Sequence, residues 1–129
     1  MQNYHRLPVW KKAHDIALAI DSLARRMPRG RHAGLVSQLQ RASLSIPSNI
    51  AEGASRGSDK DFVNFLQIAA ASTTEVEYHL EFAADARIIS RPEFDTRRSE
   101  LEELRRMLTG FAKYLRNQSR SSGTPVSRP

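Results

Sequence analysis

Glu75 and His79 lie four residues apart in a stretch with helical spacing, so their side chains share one face. A carboxylate and an imidazole so placed could take part in a metal site. A carboxylate-bridged di-iron bundle, however, needs paired glutamates and Glu-x-x-His motifs turned inward. No second Glu/His pair exists, and His5, His14 and His32 are scattered. Ser45, Ser72, Glu52, Glu75 and His79 supply the residue types of a nucleophile, a base and an orienting acid. Hydrogen bonding along a polar seam accounts for the same residues more simply, because buried polar groups need partners. Arg41 with Glu52 reads as a structural ion pair before it reads as an acid–base couple. Gly53, Gly57 and Ser58 do not make a glycine-rich nucleotide loop, and no Lys-Ser/Thr follows them. The sequence therefore predicts no catalytic residue, no metal and no cofactor.

The cations offer a different chemistry. Net charge is +6. It is unevenly spread: residues 5–31 carry seven bases and two acids, 59–87 two bases and six acids, and 91–120 eight bases and five acids. Lys11, Lys12, Arg25, Arg26, Arg29 and Arg31, with Arg98, Arg105, Arg106, Lys113 and Arg116, are the candidate nucleic-acid contacts. Their role would be phosphate contact without base reading. These faces have no interleaved aromatic residues, so no sequence specificity is expected. The plainer readings stay open. The Arg25–Arg31 cluster can complement a helix dipole, Glu102 can pair with Arg98 or Arg106, and basic outer helices can pair with an acidic third one, within or between subunits.

The 129 residues suit one domain, and 40% hydrophobic residues suffice for a modest core. Cysteine is absent, which excludes disulfides and thiolate metal sites and fits a reducing cytoplasm. No apolar run is long enough to span a bilayer, and the charged MQNYHRLPVWKKAHD start is unlike a signal peptide. Residues 1–7 read as a flexible arm, 8–118 as a four-helix bundle and 119–129 as a flexible tail.

The first helix starts at Pro8, follows a seam of Trp10, Ala13, Ala17, Ile20, Ala24 and Met27, and stops at Pro28 and Gly30. The second, around Leu35 to Arg56, has an apolar stripe of Leu35, Leu39, Ala42, Ile46, Ile50 and Gly53. Beside it runs a polar ladder of Gln38, Arg41, Ser45, Asn49, Glu52 and Arg56, within an arc of about 80°. The apolar stripe keeps phase across Pro47, which favours a kinked continuous helix over a break. Gly53 leaves room for a close neighbour, and Gly57 reads as a left-handed cap. Ser58 with Asp61 resembles a capping box. The third helix buries Phe62, Phe65, Leu66, Ala69, Thr73, Val76, Leu80 and Ala83, and Ser72, Glu75 and His79 flank that stripe. They are expected to meet Arg41, Asn49 or Glu52 in a seam that specifies fold or assembly. Pro92 opens a fourth helix with Phe94, Leu101, Leu104, Leu108, Phe111 and Leu115 at heptad-like spacing. The expected fold is all-α, an antiparallel up-down-up-down four-helix bundle.

The run QLQRASLSIPSNIAEG with ASRGS after it, LPVWKKA near the start, and FLQIAAASTTEVEYHL resemble the four-helix-bundle family of 23S rRNA intervening-sequence proteins. The resemblance covers residues 4–115. It implies a homo-oligomer, a pentamer in particular. Through similarity to the accessory proteins of diversity-generating retroelements, it also implies engagement of RNA and a nucleoprotein enzyme such as a reverse transcriptase. The expected function is a non-enzymatic basic bundle that binds nucleic acid or such a partner. The alternative is a homo-oligomeric scaffold in which the bases serve subunit pairing.

Overall fold

The computed structural model describes residues 2–120, the last by its backbone alone. A short 3-10 turn, Tyr4–Arg6, precedes four helices: α1 (Pro8–Arg25), α2 (Ala33–Ala54), α3 (Asp59–Asp85) and α4 (Arg91–Arg120). No strand occurs among the described residues. α2 against α3 and α3 against α4 make the broadest contacts, α1 lies on α2, and the contact of α1 with α4 is the sparsest of the four.

The helix starts follow local chemistry. Pro8 occupies the first turn of α1, where its missing N–H goes unmissed. Ser58 Oγ accepts from the Asp61 N–H at 3.2 Å, and Asp59 and Asp61 sit in the first turn of α3. Ser90 Oγ accepts from the Glu93 N–H at 3.2 Å, a second such cap that opens α4 one residue before Pro92.

The ends differ from expectation in two places. No glycine among the described residues has positive φ, so Gly57 is not a left-handed cap. α2 closes instead on Ser55, whose N–H reaches the Ala51 and Glu52 carbonyls and whose hydroxyl donates to the Glu52 carbonyl at 2.7 Å. The left-handed residue is Arg87, φ 62°, just past α3. Its N–H reaches Ala84 O at 3.0 Å, and the Ile88 N–H reaches Ala83 O at 2.7 Å. That is a Schellman motif with arginine where glycine is usual.

α2 runs unbroken through Pro47, which is buried. The ring removes the donor that the Ser43 carbonyl would otherwise receive. Two residues on, Asn49 Nδ2 donates to the Ser45 carbonyl at 2.8 Å.

The core draws on every helix: Ile20 from α1, Leu39 and Ile50 from α2, Leu66 and Leu80 from α3, and Leu101, Leu104 and Leu108 from α4 are all shut from water. Each such side chain contributes about 1.5–3 kcal/mol of hydrophobic stabilisation. Phe62 and Phe111 meet edge to face across α3 and α4, centroids 5.2 Å apart. Gly53 allows the closest approach. A Cβ there would lie 2.8 Å from Phe62 Cδ1 and 2.8 Å from Phe65 Cβ.

Two expectations about the N-terminus are corrected. Trp10 is only half-buried, and Val9 takes the core position at the start of α1. Residues 2–7 do not form a free arm: the Gln2 N–H donates to the Ala54 carbonyl at 2.8 Å, Asn3 Oδ1 caps the turn, and Leu7 is 4% exposed. A buried leucine next to the first helical turn pins the segment. The expected tail lies from residue 121 onward outside the described residues, while 119 and 120 belong to α4.

Candidate functional site

The polar ladder of α2 lies along α3. Ser45 Oγ and Ser72 Oγ share a hydrogen bond of 2.7 Å, and Asn49 turns back onto Ser45. Above this pair a cleft of about 280 Å³ is lined by Gln38, Arg41, Ala42, Ser45 and Glu75. So Ser72 meets Ser45 instead of Arg41, Asn49 or Glu52. The expected Arg41–Glu52 pair is not formed: Glu52 pairs with Arg56 at 3.6 Å, one turn along the same helix. Arg41 is exposed and has no ion pair among the described residues. His79 is buried, with Nε2 4.0 Å from Glu75 Oε2 and Nδ1 without a hydrogen-bond partner. Ile68, Glu75, His79 and Phe82 share an arc of about 60° on α3. Within and beside this arc Ile68, Phe82 and Tyr78 are 50%, 48% and 60% exposed.

The candidate cations divide into two sets. Six are held by acids: Lys11 by Asp15, Lys12 by Glu103 across α1 and α4, Arg25 by Asp21, Arg26 by Glu93, Arg98 by Glu102 and Arg105 by Glu77. The Glu102 hydrogen bond and charge push the Arg98 pKa further up, so that guanidinium stays charged at any ordinary pH. Arg105 is the most tethered. It donates to Thr73 Oγ1, Thr74 Oγ1 and Glu77 Oε1 at 3.2–3.3 Å, which makes it a strut between α4 and α3. Here a basic helix does meet the acidic one, within one chain. Arg29, Arg31, Arg106, Lys113 and Arg116 are exposed and have no ion pair among the described residues.

Reasoning from residue spacing missed one group. Tyr4, His5, Trp10 and His14 stack together at the start of α1, next to Lys11. Aromatic residues therefore do interleave with one basic face. The i, i+4 spacing of Trp10 and His14 is the available signal, but the three- and four-residue steps of the core seam also fit Trp10 and mask it.

Among the described residues no three His, Cys, Asp or Glu side chains are placed to hold a metal ion. No helix among the described residues is long and apolar enough to cross a membrane. Fold and surface thus define an all-α four-helix bundle with a polar seam, an exposed apolar strip and partly neutralised basic faces. Residues 5–110 match the family described as 23S rRNA-intervening sequence protein, and the chain belongs to that family. It is similar to the crystal structure of a protein of unknown function from the S23 ribosomal protein family of Bacteroides thetaiotaomicron VPI-5482. The two share 27% identity and a TM-score of 0.75 over 81% of this chain and 95% of that one. No curated protein matches the chain.

Proposed function

We propose that this protein is a non-enzymatic, cytoplasmic helical bundle that assembles with copies of itself and binds the phosphate backbone of nucleic acid, RNA foremost, without reading sequence. An antiparallel up-down-up-down order suits it. Ser45 opposite Ser72, and Gly53 opposite Phe62 and Phe65, are pairings that run in opposite senses along α2 and α3. The observation that carries the binding reading is the set of five exposed candidate bases with no acid partner among the described residues, Arg29, Arg31, Arg106, Lys113 and Arg116. Exposed unpaired cations release counterions from a polyanion on contact. The family description, which names an insertion in ribosomal RNA, points the same way. A nucleoprotein enzyme remains a fitting partner for the same surface.

Self-assembly rests on Ile68, Tyr78 and Phe82 beside the seam of Gln38, Arg41, Ser45, Asn49, Glu52, Glu75 and His79. A pentamer is the form implied by the family resemblance. A second reading, a scaffold that does not bind nucleic acid, is favoured by the six candidate bases already held by acids.

Light scattering on the purified protein, alone and with a structured RNA at low and high salt, tests both. The expected result is an oligomer that binds at low salt and releases at high salt, with log affinity falling linearly in log salt. An oligomer indifferent to RNA at every salt concentration would overturn the binding reading and leave the scaffold.

A further inference from the structure

Four rings gather where the N-terminal turn meets α1. Tyr4 and His5 stack with centroids 4.1 Å apart, and Trp10 and His14 stack at 4.8 Å with their planes 9° apart. Tyr4 and His5 meet Trp10 edge-on at 4.9 and 5.2 Å. Tyr4 and Trp10 lean on the core without entering it, while His5 is exposed and His14 half-exposed. Packing against the core accounts in part for Tyr4 and Trp10 but not for His5 and His14, which stand outside it.

The nearest bases are Arg6 and Lys11, while Asp15, Glu100 and Glu103 lie on the side of α1 that carries Lys12. No acid precedes Asp15 in the sequence. Arg6 is exposed and has no ion pair among the described residues. Lys11 pairs with Asp15 at 3.0 Å, but both side chains are more than half exposed, and such a pair yields readily to a competing anion. One turn beyond His14, Leu18 is 56% exposed and continues the apolar ridge.

We propose that this cluster is a stacking shelf for unpaired bases of single-stranded nucleic acid. A base lies against the open face of His5 or His14, and Arg6 and Lys11 take the flanking phosphates. Stacked rings between cations are what sequence-tolerant single-strand binding requires. An acidic peptide would use the cations and gain nothing from the rings, and a duplex keeps its base faces covered. The shelf rests on the nucleic-acid reading above and adds a preference which that reading lacks.

Trp10 is the only tryptophan in the chain, so its fluorescence reports on the shelf directly. The full chain is titrated with a short oligoadenylate and with an RNA duplex of equal length, at matched low salt. The oligoadenylate is expected to quench Trp10 emission and to bind about tenfold more tightly than the duplex, the contribution of roughly one stacked base. In a His5→Ala, His14→Ala variant, shown by circular dichroism to melt as the parent does, quenching disappears and the two affinities converge. If that variant does not fold, His5→Ala alone, at an exposed position, gives the same reading in smaller measure. Duplex bound as well as oligoadenylate, with no quenching, overturns the shelf and leaves backbone binding standing. No binding of either RNA overturns both.

Discussion

Arg105 sends its guanidinium across to Thr73, Thr74 and Glu77, while Arg106 beside it reaches solvent. Replacing Arg105 with alanine leaves the Thr73 hydroxyl and the half-buried Glu77 without that donor. A loss of about 1–2 kcal/mol is expected once the part-exposure of the pair is allowed for, and thermal denaturation measures it. Arg106→Glu should leave the melting temperature unchanged while lowering RNA affinity and reducing the salt slope by about one. In sequence the two arginines fell into one basic arc, since spacing gives direction around a helix and not what stands opposite. The Ser45–Ser72 bond has the same history. That polar residues of α2 and α3 face one another was legible from their types and arc, and Ser45 with Ser72 is the pair that bonds across. Which of them met was not legible, because it depends on how α2 and α3 are offset along their axes. His79 lies one turn from Glu75 on α3, and its burial could not be read from the pattern.

Helix-scale features give a matched pair of tests. Gly53→Ala puts a methyl 2.8 Å from Phe62 and Phe65 and must push α3 aside. Overpacking of this kind costs about 1–3 kcal/mol, more than the gain in helix propensity returns. Gly110→Ala, with nothing within 4 Å of the new methyl, should instead stabilise by up to about 1 kcal/mol. Urea denaturation of the two variants should move in opposite directions. Arg87→Gly, at φ 62°, relieves a left-handed side chain and is expected to raise stability by about 1 kcal/mol, or about 3 °C in melting temperature. Gly53 as a site of close approach was legible, because it continued the apolar stripe of α2 through Pro47. The Schellman arginine was not, since arginine carries no turn signal. At the start of α1 the alternation of three- and four-residue steps fitted Trp10 as well as Val9, and only the packing of Leu7 and the N-terminal turn decided between them.

For the molecule as a whole, the exposed apolar strip and the charge make separate demands. Tyr78→Lys with Phe82→Lys should dissociate the proposed assembly into folded monomers, seen as a fall in scattering mass with helicity unchanged. Parent-like mass in that variant would move the interface elsewhere. The all-α class and the count of four helices were legible because the helical period is strong in every segment; subunit number leaves no such period. The helices also hold one another unequally. α1 touches α4 sparsely and otherwise packs on α2 and on its own N-terminal turn, whereas α3 is gripped by a helix on both sides. Under native conditions α1 is therefore the part that detaches first, and its amides should exchange with deuterium well ahead of those in α3. A strand of RNA held on the Tyr4–His14 rings would then act as a clasp, slowing that exchange by tying down the helix most ready to leave.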